Sequence, residues 1–297
     1  MYILKDTQMS KCSPSRANNG WTCFSLEELD GMARAWNKTK LGKEHPIDMV
    51  KKGGNNFNNI FNNKTEYQRE LWSALRDRFF PFCGDDEACW LDSVELGKQL
   101  KEISPKIFKM VNYFSLKPKG TRGKHDWLST TEIDYVMQQY EQVYPDFKYI
   151  GCFPSDYYKL APAKFPSKIL DLPGNSAIVF NLDESHQKGS HWIAVFFERR
   201  EDGRLIVEYF DPTGDKPIKN LQKFLDHPYF VDSIKLINRK KHQRGNNECG
   251  VYSLYYILER LKGTTFDDIN GRNALRIPDS DMNEFRSNLF RPYTETF

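Results

Sequence analysis

His191-Trp192-Ile193-Ala194-Val195-Phe196-Phe197 and Leu205-Ile206-Val207-Glu208-Tyr209-Phe210-Asp211, with Asp202-Gly203 between them, decide the reading of this chain. Both runs are apolar on both faces, the pattern of strands buried between layers. Asp-Gly between such runs is a hairpin signal. Folding the pair about residue 201 brings His191, which opens the first strand, and Asp211, which follows the second, to the same open end. Directly opposed residues there have Cβ atoms roughly 4.5–5.5 Å apart. That is near enough for a carboxylate to orient an imidazole.

Working outward, Ser176–Phe180 and Ser233–Asn238 read as further strands. A helix starting near Pro217 carries Ile218, Leu221 and Leu225 on one face. Past a polar loop, Cys249 opens a helix whose buried stripe is Val251, Leu254, Tyr255 and Leu258, stopped by Gly263. Ser129 to Glu132 is a capping box opening a helix that carries Ile133, Val136, Met137 and Tyr140. The fold class is α+β, with an antiparallel sheet packed on helices.

The first hundred residues read as helical. Ser25-Leu26-Glu27-Glu28 is a capping box before Leu29, Met32, Ala33 and Trp36, and Thr65 to Gln68 repeats the signal before Leu71, Trp72, Leu75 and Phe79. A third helix runs from about Asp92 to a stop before Pro105. Gly53-Gly54-Asn55-Asn56-Phe57-Asn58-Asn59 has the composition of an exposed loop. The change of pattern divides the chain into a helical accessory region, 1–105, and a catalytic domain, 106–297.

Composition bounds the function. The 43 basic and 40 acidic residues leave a formal net charge of +3, too weak to argue for nucleic acid without a focused patch. The run Arg239-Lys240-Lys241-His242-Gln243-Arg244 could touch nucleic acid, but at this net charge a solvated loop is the favoured reading. There is no signal-peptide pattern, and no apolar stretch approaches the roughly 20 residues that span a bilayer. The expectation is a soluble protein that is not secreted. Six cysteines without framework spacing suggest mostly free thiols in a reducing compartment, and Cys12, Cys23, Cys83 and Cys89 lack the paired spacing of zinc sites.

Chemistry enters with Cys249. A thiol becomes a good nucleophile as the thiolate, which a helix N-terminus or a neighbouring imidazolium favours. Gly250 leaves room for a substrate carbonyl at the helix end, where the Cys249 amide points at a developing oxyanion. Gln243, six residues earlier, offers a neutral NH₂ as second donor. Taken singly, a cysteine at a helix start is ordinarily a packed thiol, and an Asp after a strand is ordinarily a turn former. The ordered set His191, Asp211, Gln243, Cys249 is what points to nucleophilic amide hydrolysis, with no cofactor implied. His186 reads as a solvated loop residue, and Asp215 as the cap of the helix near Pro217.

Gly189-Ser190-His191-Trp192, Glu208-Tyr209-Phe210-Asp211, Gln243 and Glu248-Cys249-Gly250 together resemble the SUMO-specific protease and adenovirus protease (adenain) clan of cysteine proteases. The run Glu248-Cys249-Gly250-Val251-Tyr252-Ser253-Leu254-Tyr255-Tyr256-Ile257 and the C-terminal Asp281-Met282-Asn283-Glu284-Phe285-Arg286-Ser287-Asn288-Leu289-Phe290-Arg291 are similar to the branch of nucleocytoplasmic large DNA viruses, African swine fever virus protease-like. The motifs cover roughly residues 110–297. The resemblance implies a papain-like or adenain-like catalytic domain in which His191, Asp211, Gln243 and Cys249 are catalytic. It also implies that Trp127 and Trp192 roof a narrow tunnel admitting only glycines. Where the SUMO-protease relatives continue the first Trp-Leu pair with Asn-Asp, this chain reads Trp127-Leu128-Ser129-Thr130, which weakens any carry-over of polar substrate contacts. The implied substrates are viral structural precursor proteins cut after Gly-Gly or Gly-X, the enzyme acting in virions and host cytoplasm. Two rivals follow from the same clan, a host-directed SUMO or ubiquitin-like deconjugase and an acetyltransferase.

Overall fold

The structure, a computed structural model, describes residues 11–16, 20–49, 64–123, 125–157, 172 and 174–297. The loop at Gly53–Asn59 lies outside these residues. The chain divides into two compact units, Met1–Lys119 with Phe290–Phe297, and Gly120–Leu289. The division therefore falls after residue 119, whereas the change of sequence pattern placed a boundary near 105.

The first unit holds helices α1 (Leu26–Trp36), α2 (Lys40–Glu44), α3 (Lys64–Cys83), α4 (Val94–Ile103) and α5 (Pro105–Met110). The capping box at α1 closes as its sequence demands: Glu28 N–H donates to Ser25 Oγ, and Ser25 N–H to the Glu28 carboxylate at 2.7 Å. Leu29 and Met32 of α1, Leu71, Leu75 and Phe79 of α3, and Leu96 and Leu100 of α4 close a core around Trp90.

Two disulfides correct the expectation of mostly free thiols: Cys12–Cys23 and Cys83–Cys89 are bonded, and Cys152 and Cys249 are free. The sequence hid the pairs because their separations, 11 and 6 residues, belong to no framework pattern. The fold brings them together. Cys83 ends α3 and Cys89 lies in the 3₁₀ turn Glu87–Asp92 that follows. Beside the first pair, the buried Glu87 carboxylate accepts hydrogen bonds from Thr22 Oγ1, the Cys23 amide and Trp72 Nε1.

The second unit is built on a five-stranded sheet in the order β1-β2-β3-β4-β5: β1 (Phe147–Pro154), β2 (Asn175–Asn181), β3 (Trp192–Arg199), β4 (Leu205–Phe210) and β5 (Ile234–Ile237). The pairs β2–β3 and β3–β4 are antiparallel, as expected. Both edge pairs, β1–β2 and β4–β5, are parallel, each strand returning after a crossover. Strand β1 had no clear signal because it is bulged: its register shifts between Tyr149 and Gly151, where Gly151 takes φ +139°, and a bulge breaks the two-residue alternation.

Buried side chains cover both faces of the sheet. Ile178, Phe180, Ile193, Val195, Phe197 and Val207 pack with Leu221, Phe224 and Leu225 of helix α7 (Lys219–Leu225), which follows α6 (Thr130–Glu141) in the chain. On the other face lies α8 (Cys249–Leu261), where Tyr256 stacks on Phe210 at 4.3 Å. The far end of α8 is tied down by Arg260, which donates to Glu208 at 2.7 and 2.9 Å and to Glu198 at 2.8 Å. Helices α9 (Phe266–Asn270) and α10 (Asp279–Leu289) complete the unit. Among the described residues, no helix is long and apolar enough to cross a membrane.

Candidate active site

The β3–β4 hairpin turns where its sequence says, with Gly203 at φ +82° and the Arg200 amide donating to the Arg204 carbonyl. Its register differs from the symmetric expectation. Ala194 pairs with Phe210, so continuing the ladder sets Ile193 opposite Asp211 and makes His191 a diagonal neighbour. Diagonal Cβ atoms lie about 7–8 Å apart, still within reach of long side chains. The contact forms: His191 Nε2 is 2.8 Å from Asp211 Oδ1.

Asp211 is buried and held from several sides. Its carboxylate accepts the Thr213 amide at 2.9 Å, and its backbone exchanges two hydrogen bonds with the Asn238 side chain, each 2.9 Å. Asp215 stands outside this arrangement, 2.7 Å from Thr213 Oγ1. Nor does it cap the helix near Pro217, because α7 begins two residues later with Ile218 as N-cap and no side-chain cap. His186 is exposed, with Glu184 at 3.9 Å as its ion-pair neighbour.

Besides Asp211 at Nε2, His191 has the Cys249 thiol as its second side-chain partner. Burial pulls the imidazole pKa down. The hydrogen bonds and charges of Asp211 and Cys249 outweigh it and lift the value to about 10. The imidazolium is therefore the stable form of His191 at neutral pH. Cys249 is buried as the first residue of α8. Gly250 has a different reason from the one its position suggested: a Cβ there would meet Leu128 Cβ at 3.2 Å and Trp192 Cδ1 at 3.3 Å, so the glycine admits these two side chains.

Gln243 and His242 are buried inside the basic run, which is therefore not a wholly solvated loop; Arg239, Lys241 and Arg244 remain exposed. Both buried residues donate backbone N–H to the Pro212 carbonyl, at 2.8 Å for Gln243 and 2.9 Å for His242, one residue past Asp211. Gln243 Nε2 also donates to the Gly245 carbonyl at 3.0 Å, and its Oε1 is buried without a partner. Burial lowers the His242 pKa, consistent with a neutral ring whose Nδ1 accepts the Ile277 amide at 3.1 Å.

Trp127 and Trp192 border one cavity of about 600 Å³, with Leu128, Phe153, Asn181 and Asp183 among its walls. Trp192 is buried, and its Nε1 donates to the Leu128 carbonyl at 2.8 Å. Trp127 is 45% exposed and donates Nε1 to Asn247 Oδ1 at 2.8 Å. Sequence reasoning missed Asn238 and Asn247, which hold Asp211 and Trp127. Asn238 reads as the end of a strand, and Asn247 lies in a polar loop where nothing distinguishes it from a turn former.

No family model matches the chain. A protein of Acanthamoeba polyphaga mimivirus named as a thiol protease is 32% identical over 308 residues, spanning 97% of this chain and 96% of that protein. A SUMO-1 cysteine protease of African swine fever virus is 28% identical over 251 residues, covering 75% of this chain and 89% of its own. The crystal structure of the selenomethionine form of an African swine fever virus protease superposes with a TM-score of 0.63 at 22% identity, over 95% of this chain and 96% of that one, a likeness of fold.

Proposed function

The chain belongs to the viral cysteine proteases of SUMO-protease-like type, and from that premise we propose that it cuts after Gly-Gly or Gly-X in viral structural precursors, with Cys249 as nucleophile. Cys249 thiolate attacks the scissile carbonyl, and the His191 imidazolium protonates the leaving amine. Asp211 orients His191. The Cys249 amide and Gln243 Nε2 bind the oxyanion. Water, deprotonated by the now neutral His191, then attacks the acyl group, which leaves as the acid and regenerates the Cys249 thiolate and the His191 imidazolium.

The observation that carries this reading is one imidazole held by Asp211 at 2.8 Å and partnered by the thiol of Cys249, which opens a buried helix. Trp127 and Trp192 are assigned to the substrate's glycines, because a β-carbon passing between indoles would strike one of them. Virions and the cytoplasmic sites of their assembly are where such precursors would be met, the helical N-terminal region being accessory. Mass spectrometry of products from candidate viral precursors tests the proposal: new termini should follow Gly-Gly or Gly-X, and cuts after bulky residues would refute it.

The name of the African swine fever virus relatives supports a second reading, release of a SUMO-like protein from its conjugates. Cleavage of a ubiquitin-like fusion far faster than of precursor peptides would establish it. Membership among proteases removes acetyl transfer from consideration.

A further inference from the structure

Helix α10 carries Asp279, Asn283 and Arg286 at spacings of four and three, one face of a helix. That face engages the segment running from Gln243 to the nucleophile. The Asp279 carboxylate accepts the amides of Arg244 at 3.1 Å and Gly245 at 3.3 Å. Asn283 Nδ2 donates to Glu248 Oε1 at 3.4 Å, and Arg286 Nη2 to the Asn247 carbonyl at 3.3 Å.

Arg286 does more than its neighbours. Its other terminal nitrogen, Nη1, donates to the Asp126 carbonyl at 2.8 Å, one residue before Trp127, and lies 3.4 Å from Thr121 Oγ1. One guanidinium thus joins two main-chain carbonyls, one beside Trp127 and the other two residues before Cys249. The Trp127 Nε1 bond to Asn247 Oδ1 closes the same loop of contacts. Arg286 is buried and its hydrogen bonds go to neutral oxygens, a costly environment for a cation if packing alone were required. Two acceptors at fixed separation suit a planar fork, and a lysine ammonium does not reproduce it.

We propose that Arg286 is a positioning residue for the proteolytic site: it locks the Trp127 arm to the Asn247–Cys249 turn, so that the roof over the substrate and the nucleophile keep one spacing. The inference rests on the roles assigned above to Cys249 and Trp127. Arg286 touches no reacting atom; its effect reaches the chemistry through Trp127 and the turn.

The test uses the full chain with Arg286→Lys and Trp127→Phe, which retains a ring but cannot donate to Asn247. Three quantities are read for each: thermal melting, the rate of Cys249 alkylation by iodoacetamide mapped by mass spectrometry, and kcat/KM on peptides ending Gly-Gly or Gly-Ala before the cut. Arg286→Lys should stay folded and alkylate at Cys249 within about twofold of the parent, since a small reagent needs no roof. Its kcat/KM on Gly-Gly should fall about tenfold or more, and its preference for Gly over Ala should shrink. Trp127→Phe should shrink that preference too, and the double variant should lose less than the product of the single losses. Unchanged Gly/Ala discrimination in Arg286→Lys overturns the proposal, as does a loss of activity that only follows the loss of folded protein. If Arg286→Lys does not fold, unchanged discrimination in Trp127→Phe overturns it. Absence of alkylation at Cys249 in the parent would instead strike the nucleophile assignment.

Discussion

Replacing Gly250 with alanine puts a methyl group where the packing leaves none. Its Cβ would lie 3.2 Å from Leu128 Cβ, 3.3 Å from Leu128 Cδ1 and 3.3 Å from Trp192 Cδ1, against an optimum of about 3.5–4.0 Å between carbons. The neighbours must withdraw by a few tenths of an ångström. They are not free to do so separately, because Trp192 Nε1 is bonded to the Leu128 carbonyl at 2.8 Å. Overpacking of this kind costs about 1–3 kcal/mol. The intrinsic preference of a helix for alanine returns at most about 1 kcal/mol, and less at the second residue of α8. A net loss of about 1 kcal/mol should lower the melting temperature by about 2–4 °C in a unit of this size. The larger effect is on catalysis, since the displaced groups flank Cys249. We expect kcat/KM to fall about tenfold, within the range that small misplacements cause. Differential scanning calorimetry and steady-state kinetics read the two effects. A Gly250→Ala protein with the parent's melting temperature and turnover would refute the packing argument.

Other expectations follow from single contacts. Gln243→Ala should lower kcat by about 10²–10³, the usual effect of losing one oxyanion donor, with little change in substrate affinity by equilibrium binding to an inactive variant. Because the His191 pKa is raised to about 10, the basic limb of the pH–rate profile should lie near that value, where the imidazolium loses the proton it must give the leaving amine. Asp211→Asn removes the hydrogen-bonding charge and should move that limb down, toward the ordinary histidine value of about 6.5. By the same sign, the stability this group contributes is full below about 6.5 and is lost as pH rises through about 10; urea titrations across pH should show it flattened in Asp211→Asn. Arg260→Met leaves the buried Glu208 without its cation and should cost about 3–5 kcal/mol in urea unfolding, with the site geometry at the other end of α8 affected only as folding fails.

The readable parts of the sequence are those where local chemistry and tertiary role coincide. Strands β3 and β4 are apolar at almost every position because helices cover both faces, and their Asp-Gly turn fixed which end was open. Asp211 was therefore distinguishable from Asp215, although the true register makes His191 a diagonal partner. Helix α8 announced itself by Val251, Leu254 and Leu258, although Tyr255 of the expected stripe is half-buried and Tyr252, Tyr256 and Ile257 are buried as well. What stayed hidden depends on distant residues. Gly151 interrupts β1 for the sake of a bulge. The partners of Cys12 and Cys83 are set by folding of the first unit, and the boundary after Lys119 depends on a C-terminal segment returning to it. Arg286 belongs to a run quoted for its family resemblance, but its positioning role rests on two carbonyl partners 160 and 39 residues away in sequence.

The central claim is that Cys249 is the nucleophile, and the most direct measurement traps its acyl-enzyme analogue. A Gly-Gly peptide carrying a carbon electrophile in place of the scissile carbonyl, incubated with the folded protein and mapped by mass spectrometry, should add once, at Cys249. Labelling should vanish in Cys249→Ala and slow sharply in His191→Ala. Adduct on Cys152, or hydrolysis that survives Cys249→Ala, would contradict the account.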